Sequence, residues 1–194
     1  SEEKIVVVDT NRIEFLNTYI DNLTASEAKN AVDSLIQAGG NHYVVTPNSD
    51  IVVKMQDDTE LKEICDKADL ILTDGQIVVK LSRYLGNPIK ERVCMTDFVW
   101  DVFDLAIKKD YRVFLFGGKE DVLFKATENI KKRLPELNIV DSYSPPFGFE
   151  KNEEMLEEAN RRIKASDADI LIVFLGCPKQ EKFIYQNKDK YQVP

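Results

Sequence analysis

The sequence has little of what metal centres, disulfide frameworks and membrane spans require. Its 194 residues include one histidine, three cysteines and one tryptophan. Cys65, Cys94 and Cys177 are far apart, so neither zinc-like spacing nor a disulfide framework is expected. Because His42 is the only histidine and lies at a strand start, His-rich metal sites are excluded and a His-based catalytic triad is not expected. No apolar run reaches the roughly 18 residues that a membrane span needs.

Charge and composition narrow the class of protein further. The net charge of −8 argues against nucleic acid as a partner. The N-terminus has no basic segment followed by an apolar stretch, so we expect no signal peptide and a reducing, cytoplasmic location. The sequence contains no internal repeat, low-complexity tract or flexible linker. We therefore expect a single domain over residues 1–194.

Short apolar segments alternate with amphipathic segments of helical length. The strand candidates are residues 42–46, 69–73, 112–116, 139–142 and 170–175. They are rich in Val, Ile, Leu and Phe and do not alternate strictly, as expected for parallel strands buried on both faces. The fold class predicted is therefore α/β, a mostly parallel Rossmann-like sheet with helices on both faces in one domain. The segments IVVV, IEFL and TYI near the N-terminus are expected to form a hairpin or edge strands.

Signals for helix ends divide the remaining chain. A capping box from Thr24 to Glu27 starts the first helix, which ends near Gly39. A helix over 97–109 is expected with Thr96 or Asp97 as its cap. The other helices are expected at 48–56, 59–67, 75–85, 120–134, 152–165 and from Pro178 onward.

Small or polar residues follow four of the strands, each time just before a helix. These segments are 47–50, 74–76, 117–119 and 176–181. Ligands of open α/β sheets bind outside the carboxyl ends of the strands, and helix N-termini suit phosphate groups. The pattern predicts a phosphorylated or diphosphate ligand at the level of class.

The chemistry-bearing residues each have more than one interpretation. Asp74 is compatible with a helix cap or with a general base. The basic cluster at 80–92 is compatible with a solvated surface or with charge compensation for a diphosphate, for which Arg92 is the best candidate. The apolar helix 77–85 is compatible with core packing, a homo-oligomer contact or a lipid-facing surface.

Other motifs carry weaker signals. Gly117-Gly118 is typical of a tight turn as much as of a phosphate loop, and neither a G-x-G-x-x-G nor a Walker motif occurs. Asp167 and Asp169 form an Asp-x-Asp like that which holds metal in many sugar-nucleotide transferases. They precede their strand, so we expect them at the edge of the sheet opposite the ligand.

An ordered series of segments carries a family resemblance along nearly the whole chain. The segments are VVTPNSDIVV (44–53), ADLILTDGQIVV (68–79), ERVCMTDF (91–98), RVFLFGGKEDV (112–122), YSPPFGF (143–149) and ADILIVFLGCPKQEKFI (168–184). On these segments the chain resembles the TagA/WecG/CpsF glycosyltransferases, bacterial glycosyltransferase family 26. The G-x-P-K-Q-E motif of the last segment is the most specific part.

The resemblance implies an inverting enzyme of cell-wall polysaccharide synthesis that needs neither metal nor cofactor. Such enzymes move a sugar, typically N-acetylmannosamine, from a UDP-sugar donor to a polyprenyl-diphosphate-linked acceptor. By the same resemblance, Asp74 is the catalytic base and Arg92 stabilises the diphosphate. The substrate-binding residues expected are Thr46, Asn48, Gly176, Lys179, Gln180 and Glu181. The alternative function is a non-catalytic nucleotide- or phosphate-binding α/β module.

Family members usually continue beyond the position of Pro194, through a further strand and a basic C-terminal appendage. We expect the chain as given to lack part of the site and the piece that binds the membrane. The fold is expected to survive without that segment, and catalysis is expected to depend on it. The resemblance places such enzymes peripherally at the inner face of the bacterial cell membrane.

Overall fold

The computed structural model describes residues 9–74 and 76–194. The chain divides into two compact units, Ser1–Val102 and Phe103–Pro194. Helices and parallel strand pairs occur in both units, which confirms the α/β class. The boundary of one domain over 1–194 stays a prediction.

The first unit combines a hairpin with a short parallel strand pair and helices. Its elements are β1 (Arg12–Phe15), β2 (Thr18–Asp21), α1 (Ala25–Ala38), β3 (Val44–Val45), α2 (Ser49–Asp57), α3 (Thr59–Asp66), β4 (Leu70–Ile71), α4 (Gln76–Tyr84) and the start of α5 (Met95–Lys109). Strands β1 and β2 pair antiparallel, and β3 and β4 pair in parallel. The predicted hairpin is confirmed for IEFL and TYI, whereas IVVV at 5–8 lies outside the described residues.

A buried carboxylate ties the hairpin to β4. Leu16 and Asn17 connect β1 to β2 with positive φ at both residues, as in the two-residue turns that match strand twist. Asp21 accepts hydrogen bonds from Arg12 Nε at 2.8 Å and from the backbone N–H of Ile71 at 2.7 Å. The hydrogen bond to Asp21 raises the pKa of the Arg12 guanidinium. The Asp21 carboxylate therefore fixes β2 against β4, the strand that leads to Asp74.

Side-chain caps begin four of the described helices, α1, α2, α3 and the later helix Glu153–Ala165. Thr24 Oγ1 accepts from the N–H of Glu27 at 3.2 Å, as the capping signal predicts. The predicted caps of α5 are wrong, because the helix begins at Met95 and includes Thr96 and Asp97 in its first turn. The reason is local: the N–H of Phe98 donates to the carbonyl of Cys94 at 2.8 Å and closes the turn earlier.

Helix α4 is amphipathic along its length. Val78 and Ser82 are buried, and Val78 packs in a cluster with Phe15, Ile20 and Ile89. Three large apolar side chains near its end are exposed: Leu81, Tyr84 and Leu85. Core packing therefore applies to one face of α4, while the homo-oligomer and lipid interpretations of the other face stay predictions.

The second unit is a three-stranded parallel sheet with helices. After the end of α5, its elements are β5 (Val113–Gly117), α6 (Glu120–Arg133), β6 (Ile139–Tyr143), a short 3-10 helix (Phe149–Lys151), α7 (Glu153–Ala165), β7 (Ile170–Phe174) and α8 (Lys179–Tyr191). The strand order is β6-β5-β7. Every residue of the central strand β5 is buried, so both of its faces are covered.

Aromatic packing fixes α8 on one face of this sheet. Phe116 of β5 stacks on Phe183 of α8 with ring centroids 4.9 Å apart. Phe149 meets the Phe116 ring edge-on at 5.7 Å, and Tyr191 stacks on Phe183 at 5.9 Å. Aromatic pairs at such distances stabilise a core beyond the burial of their area. The start of α8 is thereby held at the carboxyl end of β7.

Burial on both faces was predicted for all the parallel strands and is wrong for β6 and β7. All five residues of β6 are only partly buried, as are residues 171–173 of β7, and Phe174 is 40% exposed. The reason is that β6 and β7 are the edge strands of this sheet, and only β5 lies at its centre. Among residues 9–74 and 76–194, no helix combines the length and apolar character needed to cross a membrane.

Candidate active site

In the first unit, parallel backbone pairing brings Asp74 beside the segment that follows β3. The N–H of Leu72 donates to the carbonyl of Val45 at 3.0 Å, and the N–H of Asp74 donates to the carbonyl of Pro47 at 3.3 Å. The ladder thus continues past the two-residue strands. Thr46, Asn48 and Asp74 are all partly buried at this edge.

Asn48 is the N-cap of α2. Its Oδ1 accepts from the N–H of Ile51 at 3.0 Å. The side-chain oxygen is thereby engaged with the helix, which leaves the Nδ2 group as the hydrogen-bond donor suited to a ligand. The capping interpretation of Asp74 stays a prediction, since Gly75 lies outside the described residues.

Arg92 belongs to a loop that pairs with the end of β4. The N–H of Val93 donates to the carbonyl of Thr73 at 3.0 Å. Arg92 and Asp74 are therefore each one residue from this bond. Arg92 is partly buried, and within the described ranges none of the ion pairs involves it. A partly buried guanidinium without a protein carboxylate is suited to bind an anionic ligand.

Two buried polar side chains hold the Arg92 loop in place. Asn22 Oδ1 accepts from the N–H of Lys90 at 2.7 Å, and its Nδ2 donates to the carbonyl of Pro88 at 3.2 Å. Ser82 Oγ accepts from the N–H of Ile89 at 2.9 Å. Neither residue was predicted from the sequence, because a lone Asn carries no signal for a partner almost 70 positions away and a lone Ser none for a loop residue seven positions away.

The basic cluster around Arg92 separates into different environments. Lys80 and Arg83 are exposed on α4. Lys90 Nζ lies 3.6 Å from Glu27 Oε1. Of the four, only Arg92 is partly buried, and its neighbour Val93 bonds to Thr73 beside Asp74.

In the second unit, glycines allow the strand ends to approach closely. Gly117 has φ +107°, and a Cβ placed there would lie 2.8 Å from the carbonyl oxygen of Phe174. No larger residue fits without moving the backbone. Ser144 Oγ donates to the carbonyl of Gly118 at 2.6 Å and binds the loop after β6 to the same edge. Steric exclusion of a side chain at Gly117 therefore supports the interpretation of the glycine pair as a tight turn.

The first turn of α8 contains the most specific sequence motif. Gly176 adopts φ +76°, and its carbonyl accepts from the N–H of Gln180 at 2.8 Å. Glu181 is only 5% exposed, and its Oε1 accepts from Gln180 Nε2 at 3.2 Å. Within the described residues its Oε2 is buried without a hydrogen-bond partner. Glu181 therefore orients the Gln180 amide.

Lys179 lies between a carboxylate and an aromatic ring. Its Nζ is 3.2 Å from Glu150 Oε1 and 5.8 Å from the centroid of the Phe147 ring. The pKa of the Glu150 carboxyl is lowered, chiefly by a hydrogen bond from the backbone N–H of Glu150 itself. The hydrogen bond from Lys179 lowers it further. Neither Glu150 nor Phe147 was predicted from the sequence, because both lie about thirty residues from Lys179 along the chain.

The motifs assigned to the opposite edge of the sheet are confirmed there. Asp167 and Asp169 directly precede β7, and Asp169 Oδ2 accepts from the N–H of Arg112 at 2.8 Å. Across residues 9–74 and 76–194, no group of three or more His, Cys, Asp or Glu side chains is arranged to hold a metal ion.

A surface cleft of about 300 Å³ also lies at that opposite edge. Its three guanidinium groups have protein partners. Arg112 donates to the carbonyls of Ser166 and Asp167, and Arg161 donates to Glu158. Arg162 lies over the Tyr143 ring at 4.1 Å. The three guanidinium groups of the cleft therefore serve contacts within the protein and do not indicate a ligand site.

The chain belongs to the WecG/TagA/CpsF family of glycosyl transferases, whose family model matches residues 13–194.

Among curated proteins, it is 29% identical over 168 residues to the N-acetylglucosaminyldiphosphoundecaprenol N-acetyl-beta-D-mannosaminyltransferase of Bacillus spizizenii W23, covering 87% of this chain and 63% of that relative. It is 27% identical to the protein of the same name from Bacillus subtilis 168, covering 90% of this chain and 64% of the relative. The Staphylococcus aureus NCTC 8325 protein of that name is 26% identical, with 95% and 71% covered. The chain thus spans slightly less than two thirds of the length of the two Bacillus relatives.

Proposed function

We propose that this protein is an inverting glycosyltransferase. It transfers N-acetylmannosamine from a UDP-sugar to an N-acetylglucosamine carried on a polyprenyl diphosphate, in the synthesis of a cell-wall polysaccharide. The observation that carries the proposal is the backbone pairing that brings Asp74 and the Arg92 loop to the end of β4. The names of the relatives support this choice of sugar and acceptor.

Asp74 is the general base in this proposal. A carboxylate that takes the proton of the acceptor hydroxyl increases its nucleophilicity as it attacks the anomeric carbon. Single displacement inverts the configuration, and UDP leaves with the bonding electron pair. Thr46 and the Asn48 amide supply hydrogen-bonding groups beside the base, since pairing with the Asp74 backbone holds that segment next to it.

Arg92 stabilises the diphosphate. Its guanidinium has no carboxylate partner within the described ranges and offers a planar pair of donors, which matches phosphate oxygens. In this proposal the charge of the leaving group is balanced by side chains and helix N-termini, and no metal or cofactor takes part.

Gly176, Lys179, Gln180 and Glu181 are assigned to the donor. The chain turns at Gly176, whose φ is positive, into the first turn of α8, where the helix N-terminus and the partly buried Lys179 cation suit phosphate. The Gln180 amide, oriented by Glu181, suits the polar edge of a base or a sugar hydroxyl. Location at the inner face of the cell membrane belongs to the same proposal, because the acceptor carries a lipid tail.

The test is transfer by full-length protein, measured with UDP-N-acetylmannosamine and a lipid-linked N-acetylglucosamine acceptor. Asp74→Asn is expected to lower the transfer rate by about 10²–10⁴-fold, the range for a lost general base. Its affinity for UDP is expected to stay unchanged.

Asp57→Asn is the matched control, since Asp57 is an exposed residue at the end of α2. Its transfer rate should equal that of the unchanged protein. Undiminished transfer by Asp74→Asn would exclude Asp74 as the base. UDP binding without transfer by the unchanged protein would favour the non-catalytic binding module instead.

A further inference from the structure

Phe147 is the most exposed large apolar side chain in the described part of the molecule. Its relative exposure is 101%, whereas Phe149, two residues later, is 3% exposed. Isolated apolar residues are common on protein surfaces, so exposure alone assigns no role. The position of this ring and the way it is held carry the inference.

The loop that carries Phe147 is fixed at both ends. Before it, Ser144 Oγ donates to the carbonyl of Gly118 at 2.6 Å, and two prolines restrict the backbone. After it, the N–H of Phe149 donates to the carbonyl of Pro146 at 3.1 Å. The Phe149 ring is buried against Phe116 and Phe183. The Phe147 ring is therefore presented to solvent by a preorganised support, which lowers the entropic cost of binding.

The ring also lies at the ligand-binding edge of the second unit. Lys179 Nζ is 5.8 Å from its centroid, and Lys179 is the first residue of α8. A bare aromatic face next to a cation matches a ligand with one planar and one anionic part. A nucleoside diphosphate has both, since its base is planar and its phosphates are charged.

We propose that Phe147 stacks on the base of the nucleotide donor while Lys179 approaches its phosphates. This inference rests on the proposed function and names a further binding residue for the same donor. Stacking on a protein aromatic is tolerant of base identity because every base has a π face. Phe147 therefore contributes affinity, and selection for uracil is left to polar groups such as the Gln180 amide.

An anionic membrane surface is the competing occupant for an exposed phenylalanine beside a lysine. The position of the ring favours the nucleotide. Lys179, the first residue of α8, follows the carboxyl end of β7, and ligands of open α/β sheets bind outside the carboxyl ends of the strands.

The experiment measures UDP and pyrophosphate binding by calorimetry. Phe147→Ala is expected to weaken UDP binding by about 5- to 100-fold, the range for removing one base-stacking aromatic. Pyrophosphate binding should stay the same, because the phosphate contacts remain. Phe147→Leu should weaken UDP binding as well, since leucine is apolar but has no ring.

Phe147→Trp keeps a ring, and UDP should quench its added fluorescence. Phe124→Ala is the matched control, since Phe124 is 66% exposed on α6, and it should leave UDP affinity unchanged.

Each outcome separates the two proposals. If UDP binds the unchanged protein and Phe147→Ala equally, stacking is excluded and the proposed function stands. If the unchanged protein does not bind UDP at all, both are overturned. If Phe147→Ala instead loses only its sedimentation with anionic phosphatidylglycerol vesicles, the ring is a membrane contact and the stacking proposal is wrong.

Discussion

The two units hold their candidate site residues by different physical means. In the first unit, Asp74 follows a two-residue strand, and Arg92 lies in a loop that the buried polar side chains of Asn22 and Ser82 fix. In the second unit, the start of α8 follows a five-residue strand and rests on a stacked aromatic cluster. A hydrogen bond depends on one donor and one acceptor, so a single substitution removes it, whereas apolar packing is distributed over many contacts. The first unit should therefore be more sensitive to single polar substitutions, and the second to loss of volume.

The largest expected effect in the first unit comes from Asp21→Ala. This change leaves the Arg12 guanidinium and the N–H of Ile71 without their buried acceptor. Removing one partner of a buried ion pair lowers the free energy of unfolding by about 3–5 kcal/mol. Urea denaturation measures this change in the free energy of unfolding, and hydrogen exchange should show the loss of protection at the Ile71 amide.

Asp9→Ala removes an exposed carboxylate near the same hairpin and should change stability by less than about 0.5 kcal/mol. An Asp21→Ala variant as stable as Asp9→Ala would show that the ion pair does not hold the hairpin.

A substitution of comparable size in the second unit is Phe183→Ala. Its ring stacks on Phe116 and Tyr191, so truncation opens a cavity in the middle of the cluster. We expect the free energy of unfolding to fall by about 3–5 kcal/mol. Hydrogen exchange should locate the lost protection in β5 and α8.

The exposed Phe124 offers a control of identical chemistry, because Phe124→Ala deletes the same atoms from the surface. Equal losses for the two variants would contradict the view that the cluster supports α8.

The smallest expected effects come from two matched helix caps, which distinguish a loss of stability from a loss of transfer activity. Asn48 caps α2 and Asn152 caps α7, each accepting one backbone N–H at 3.0 Å. Replacing either with alanine should lower the free energy of unfolding by about 0.5–2 kcal/mol. Only Asn48→Ala should also lower the transfer rate, since Asn48 lies beside Asp74. A loss of transfer in Asn152→Ala as large as in Asn48→Ala would make the effect a general one of stability.

Features of the fold and the site that depend on residues close together in the sequence could be predicted, and features that depend on distant residues could not. The α/β class, the hairpin and the Thr24 cap depend on nearby residues and on hydrophobic periodicity, which the sequence displays directly. The collection of Asp74 and Asn48 at one strand edge followed from the general rule for parallel sheets. The α5 cap was misplaced because the Cys94 carbonyl closes a turn without any cap signature.

The missed residues depend on contacts between distant parts of the chain. Asn22 bonds to a loop almost 70 positions later, and Phe147 meets Lys179 more than thirty positions later. Neither has a local pattern, because a single Asn or Phe is compatible with many environments. The exposure of β7 was missed for a related reason: an edge strand and a central strand differ in their neighbours more than in their own composition.

Gly117 has a consequence for how this chain varies under mutation and selection. A methyl group there would lie 2.8 Å from a backbone carbonyl, whereas Gly176 has open space around the same point. Selection for folded protein in a saturation library should therefore recover only glycine at 117, yet asparagine and aspartate should survive at 176, where positive φ is the restriction that the backbone imposes. The two glycines look alike in the sequence, but position 117 should then be invariant, whereas position 176 should only favour glycine.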